Sequence, residues 1–157
     1  MALTTGDKLG PYEILSLLGE GGMGAVWKAR DTRLGRVVAL KVLSSDSISD
    51  SARQRLMQEA RAASVLQHPN IVTLHDVGSD NGTDYLVMEF VAGETLEARL
   101  RNGPLAVHEI ISLGKTLALA LAHAHEQGIV HRDLKPGNIM LSASASRSCS
   151  TSGSQKG

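Results

Sequence analysis

Four glycines fall within the six residues Gly19–Gly24, and strand-compatible apolar runs flank them on both sides, Tyr12–Leu18 before and "AVWKARD" after. A stretch so poor in side chains cannot pack as a core element, so the chain must turn there, and a strand on each side makes the turn a hairpin. The glycines at 19, 21 and 24, followed by Val26, have the spacing G-x-G-x-x-G-x-V. Such a loop lets backbone N–H groups approach phosphate oxygens, and Val26 offers an apolar surface to a planar ring. A plain flexible turn would use the same residues. A dinucleotide fold would open a helix at the third glycine, whereas here a strand follows, and a P-loop would need a GKS or GKT that is absent.

The strand "RVVALKVL", Arg36–Leu43, alternates so that Val37, Ala39 and Lys41 share one face and Val38, Leu40 and Val42 the other. The period then becomes helical, with Leu56, Glu59, Ala60, Ala63 and Leu66 or Gln67 on one stripe, until "HPN" at 68–70 stops it. "IVTLHDV" and "TDYLVMEFV" are read as two further strands around the turn "GSDNG". After Gly93 the pattern is helical: a short helix near "TLEARLR", then a long one over about Val107–Gln127 with Ile110, Leu113, Leu117, Leu121 and Ala124 on one face, ended by Gly128. The expectation is α+β with two lobes: residues 12–91 as a five-stranded antiparallel lobe with one helix, and 92–141 as a helical lobe, joined through "EFVAG". Residues 142–157 hold seven serines, no acidic residue and little apolar surface, and are expected to be a disordered tail.

Composition narrows the partners. The 157 residues are 42% hydrophobic, and 16 Lys and Arg balance 16 Asp and Glu, so no global field favours nucleic acid or an anionic membrane. The longest apolar run, "LALALAHAH", is too short to span a bilayer. The single cysteine, Cys149, excludes an intrachain disulfide and fits a reducing cytoplasm.

Two further clusters carry chemistry. Lys41 shares the face of Ala39 and, as an inward-looking cation, needs a carboxylate partner; Glu59 on the helical stripe is the candidate. "HRDLKPGN" places Asp133, Lys135 and Asn138 within six residues. A carboxylate can accept a hydroxyl proton, an ammonium can neutralise a transferring phosphoryl group, and an amide oxygen can ligate a divalent cation.

In their order and spacing, "GEGGMGAV", "VALK", Glu59 before "HPNIV", "YLVMEFV" and "HRDLKPGN" resemble the protein kinases, over about Tyr12–Leu141. "DLKPGN" resembles the serine/threonine class, and "GEGGMGAVWKARD" the eukaryotic-like serine/threonine kinases of bacteria. The resemblance implies ATP and Mg2+ as cofactors and a protein Ser or Thr hydroxyl as acceptor. Leu18, Gly19, Glu20, Gly21, Gly22, Met23, Gly24 and Val26 would form and border the flap over the phosphates. Lys41, paired with Glu59, would hold the α- and β-phosphates. Met88 would border the adenine pocket, the backbone of Glu89 and Val91 would bond the base edge, and Ala39 and Met140 would sandwich the ring. Asp133 would be the catalytic base, Lys135 the γ-phosphate contact and Asn138 a magnesium ligand, with Lys41, Glu59 and Asp133 converging around the triphosphate. His131 would pack beneath the loop, and Arg132 would pair with a phosphorylated activation loop.

The pattern then breaks. No Asp or Glu follows Asp133, so the DFG aspartate, the activation segment and the APE motif are missing from these residues. The chain is expected to be a kinase domain truncated after its catalytic loop, inactive by itself, with the serine-rich tail the out-of-frame remainder of a broken reading frame. The alternative is a non-catalytic nucleotide-binding or interaction fragment.

Overall fold

The face alternation of Arg36–Leu43 governs the first layer. In a computed structural model of the chain, which describes residues 3–21, 24–43, 49–131 and 133–143, these residues form the centre of a six-stranded sheet. Its strands are β1 (Lys8–Leu9), β2 (Tyr12–Gly21), β3 (Gly24–Asp31), β4 (Arg36–Leu43), β5 (Leu74–Asp80) and β6 (Thr83–Glu89), and α1 (Asp50–Ala63) lies between β4 and β5 in sequence. The order is β1-β2-β3-β4-β6-β5 with every neighbouring pair antiparallel. Five strands were expected. The sixth, β1, is two residues long, and so short a segment shows no alternation; only its pairing with Glu13 and Tyr12 makes it a strand.

One face of the sheet is the core: Leu9, Tyr12, Ile14, Ala29, Val38, Leu40, Tyr85 and Val87 are buried together. Each fully buried Val, Leu or Ile contributes about 1.5–3 kcal/mol of transfer free energy, which makes this cluster the main support of the sheet. The β5–β6 turn is tighter than "GSDNG" suggested. Gly78, Ser79 and Asp80 belong to β5, and the reversal is made by Asn81 and Gly82 alone, both at positive φ (49° and 78°), the two-residue turn that suits the strand twist.

A buried polar group sits at the end of β3. Asp31 is inaccessible to solvent, and its Oδ1 accepts from the backbone N–H of Arg33 (3.0 Å) and Leu34 (3.4 Å) and from Arg33 Nε (3.4 Å). Arg33 in turn donates to the Tyr12 hydroxyl at 3.1 Å. Burial pushes the Asp31 carboxyl up, but the Arg33 side chain and the two backbone donors outweigh it and hold the group below its ordinary value. The folded pKa therefore lies under the unfolded one of about 3.9, so the stabilisation is fully present above that pH and is lost as pH falls through the folded value. Asp31→Asn is expected to cost about 2 kcal/mol at pH 7 and less at pH 3, measured by urea unfolding at both pH values. Equal losses at the two pH values would contradict the assignment.

The chain divides into two compact units, residues 1–90 and 91–157. The second contains β7 (Gly93–Thr95), α2 (Leu96–Leu100), α3 (Val107–Glu126), a 3-10 turn (Pro136–Asn138) and β8 (Met140–Ser142). Thr95 caps α2 by accepting from the Ala98 N–H at 3.1 Å. At the far end of α3, Gly128 takes positive φ (75°) and donates to the His125 carbonyl, the expected glycine stop. The expected face of α3 is the more buried one, with Ala124 buried and Leu113, Leu117 and Leu121 half-buried; Ala120 is buried as well, and Ile110 departs from the expectation at 53% exposed.

The antiparallel pair β7–β8 was not foreseen as a sheet. It places Ser142 opposite Gly93, so the first residue assigned to the tail is in fact a strand residue, held by pairing rather than by side-chain burial. Residues 144–157 of that expected tail lie outside the described residues. Among the described residues no helix is long and apolar enough to cross a membrane.

Candidate functional site

Cross-strand register builds the candidate group of the first unit. Val26 lies opposite Lys41, and Lys41 opposite Leu86; Lys28 lies opposite Ala39, and Ala39 opposite Met88. Residues directly opposite one another project to the same side, so Val26, Lys28, Ala39, Lys41, Leu86 and Met88 share one face, the face away from the Val38–Leu40 core. This is the face that the alternation of β4 assigned to Ala39 and Lys41.

The glycine loop borders that face. Gly19, Glu20 and Gly21 end β2, Gly24 begins β3, and Gly21 pairs with Gly24. The register shifts between Leu17 and Gly19, which leaves Leu18 as an unpaired bulge residue, about half exposed. Gly22 and Met23 lie outside the described residues. Gly24 has φ +127°, and a Cβ there would overlap the Val42 carbonyl oxygen.

Lys41 is half-buried. The expected Lys41–Glu59 ion pair is not formed: among the described residues Glu59 is joined to Arg55 at 3.7 Å, one helical turn away, and no carboxylate lies within 4.0 Å of the Lys41 ammonium. The reason is visible on α1, where the stripe buries Ala60 and leaves the Glu59 side chain 49% exposed. A carboxylate next to a core position does not itself have to face the core.

Met88 is half-buried near the end of β6, and Glu89 closes the strand. Glu89 donates its N–H to the Thr73 carbonyl at 2.8 Å, and its Oε2 accepts from the Thr73 N–H at 3.1 Å. Thr73 falls in the run "IVTLHDV" read as a strand, but β5 begins one residue later at Leu74, and nothing local marks Thr73 as the partner of Glu89. Val91 is half-buried and opens the second unit.

A separate cluster of functional groups lies in that second unit. Asp133 Oδ2 lies 3.2 Å from Lys135 Nζ and 3.1 Å from Asn138 Nδ2, and Asn138 Nδ2 also donates to the Asp133 carbonyl at 2.8 Å. The spacing D-x-K-x-x-N brings these side chains together because Pro136 opens a 3-10 turn that folds Asn138 back over Asp133. The turn is held in place where Leu96 donates to the Ile139 carbonyl and Met140, 38% exposed, pairs with Thr95. The hydrogen bonds from Lys135 and Asn138 keep the Asp133 carboxyl below its ordinary value, so it is ionised across the neutral range. His131 is exposed rather than packed beneath the loop, and its Nδ1 accepts from the Asp133 N–H at 3.3 Å. Arg132 lies outside the described residues.

An antiparallel sheet with a glycine-rich hairpin and a face-sharing lysine, followed by a helical unit with this Asp–Lys–Asn turn, places the chain in the kinase-like fold class. The pattern of the protein kinase domain matches residues 12–148, and the chain belongs to the protein kinase family, with the bacterial-type serine/threonine kinases as its relatives. It is 45% identical over 142 residues to the serine/threonine-protein kinase PknD of Mycobacterium tuberculosis, covering 88% of this chain and 21% of that protein. It is 44% identical over 134 residues to the serine/threonine-protein kinase PrkC of Bacillus subtilis, covering 84% of this chain and again 21% of that protein. The chain thus spans about a fifth of the length of these curated relatives. The crystal structure of the M. tuberculosis PknI kinase domain superposes with a TM-score of 0.83 at 32% identity, over 90% of this chain and 58% of that one.

Proposed function

We propose that this chain carries the ATP site and catalytic loop of a protein serine/threonine kinase, which moves the γ-phosphoryl group of ATP to a Ser or Thr hydroxyl of a protein in the cytoplasm. The observation that carries the reading is the Asp133–Lys135–Asn138 cluster, in which the Asp133 carboxylate meets the Lys135 ammonium at 3.2 Å and the Asn138 amide at 3.1 Å. Glycine N–H groups of Gly19–Gly24 cover the phosphates, Lys41 holds the α- and β-phosphates, and Leu18, Val26, Ala39 and Met140 enclose the adenine. Met88 borders the base, and the backbone of Glu89 and Val91 bonds its edge. Glu59, paired with Arg55, is given no role.

In the transfer step the acceptor oxygen bonds to the γ-phosphorus as the bond to the β-bridging oxygen breaks. The hydroxyl proton passes to the Asp133 carboxylate, Lys135 balances the charge on the moving phosphoryl group, and ADP leaves. Magnesium, when bound, neutralises the phosphate oxygens. The residues fit it at one point: Asn138 donates through Nδ2 to Asp133, which leaves Oδ1 with no donor among the described residues and available to a hard cation.

A second reading keeps the nucleotide and omits the transfer: the chain binds ATP without turning it over. Calorimetric titration with ATP, with and without magnesium, beside radiolabel transfer to a Ser/Thr peptide, separates the two. Lys41→Ala is expected to weaken ATP binding by about tenfold or more, the worth of one charge-assisted phosphate contact. Unchanged affinity in that variant, with its thermal midpoint preserved, would remove Lys41 from the site.

A further inference from the structure

Lys28 is a half-buried cation that none of the roles above uses. Among the described residues no carboxylate lies within ion-pair distance of it. Instead its ammonium stands 4.8 Å from the centroid of the ring of Phe90, the only phenylalanine in the chain. An ammonium drawn partly out of water is costly, and the negative face of an aromatic ring offsets part of that cost. The placement is set by register: Lys28, Ala39 and Met88 form one cross-strand row, and Phe90 lies two residues past Met88, immediately beyond the end of β6.

We propose that Lys28 is a positioning residue for recognition of the nucleotide base. Through Phe90 it pins the segment leaving β6, which Thr73 holds at Glu89 by two hydrogen bonds. Glu89, whose backbone reads one part of the base edge, and the adjoining Phe90 are thereby each held by a contact of their own. A rigid edge discriminates between bases, because a purine that presents the wrong donor or acceptor leaves a backbone group unpaired and the segment cannot shift to accommodate it. This rests on the reading of Glu89 and Val91 as the base contacts.

The test titrates the full chain with ATP, GTP and inorganic tripolyphosphate. Lys28→Ala is expected to weaken ATP about fivefold, to leave tripolyphosphate unchanged and to narrow the preference for ATP over GTP. Lys28→Arg, which keeps a cation over the ring, should restore ATP binding to within about twofold. Phe90→Leu should reproduce the loss, and Lys28→Ala combined with Phe90→Leu should lose no more than either alone. ATP binding by Lys28→Ala equal to that of the unchanged protein would overturn the proposal. So would an equal loss for ATP and tripolyphosphate, which would make Lys28 a phosphate contact or a fold determinant. Failure of the unchanged protein to bind ATP would instead sink the nucleotide reading itself.

Discussion

Phosphate transfer is expected to fall by roughly 10²- to 10⁴-fold in Asp133→Asn while ATP affinity stays the same. The size of the effect follows from what each carboxylate oxygen does. Oδ2 is occupied by Lys135 Nζ and Asn138 Nδ2, both donors, and Oδ1 has no partner among the described residues. An asparagine of the same shape must keep its oxygen towards those two donors, because an NH2 group there would face two other donors. Its NH2 therefore takes the place of Oδ1, where it cannot accept a proton from an incoming hydroxyl. The loop geometry survives and only the base is lost. In the unchanged protein Asp133 is held below the ordinary Asp value of about 3.9, so the acid limb of activity belonging to it should lie below that value. Radiolabel transfer to a Ser/Thr peptide, beside ATP titration, measures both quantities. A variant that keeps full transfer would remove Asp133 as the base, and a parallel loss of ATP affinity would show the loop itself to be damaged. If the unchanged chain transfers no phosphate, the second reading holds, and the two proteins should then bind ATP equally.

The second large effect is on folding and separates one glycine from its neighbours. Gly24→Ala is expected to destabilise the protein by about 3 kcal/mol, seen as a lowered urea midpoint. Its φ of +127° lies where an L side chain is strained, and the new methyl group would run into the Val42 carbonyl and approach Leu43 Cα, both backbone and unable to rotate away. Gly19 and Gly21 differ: neither has positive φ, and among the described residues a Cβ on either meets no atom within 4 Å. Gly19→Ala and Gly21→Ala should therefore leave stability within about 0.5 kcal/mol and act, where they act, on ATP affinity. If all three variants destabilised alike, the glycines would be serving the hairpin. A stable Gly24→Ala would refute the clash.

Several elements were legible because their causes are local. The hairpin around Gly19–Gly24, the two faces of β4 and the stop of α3 at Gly128 each follow from residues within a few positions of one another. The turn that joins Asp133, Lys135 and Asn138 is of the same kind, since its proline and its hydrogen bonds all lie within six residues. Glu59 shows where such reasoning stops. Helical period placed it near the buried stripe, but whether a helix residue points inward depends on how α1 lies on the sheet, and burial went to Ala60 instead.

What the sequence by itself determined is the set of local conformations and the chemical groups they carry: a glycine hairpin, a lysine sharing a face with Ala39, a loop with its aspartate, lysine and asparagine. Only the tertiary structure decided which distant segments meet. It paired Gly93 with Ser142 across 49 residues, set β4 beside β6 and placed Lys28 over Phe90. The physical reason is range: φ and ψ preferences and side-chain alternation act over a few residues, whereas pairing between segments far apart is chosen by burial and backbone hydrogen bonding across the whole fold.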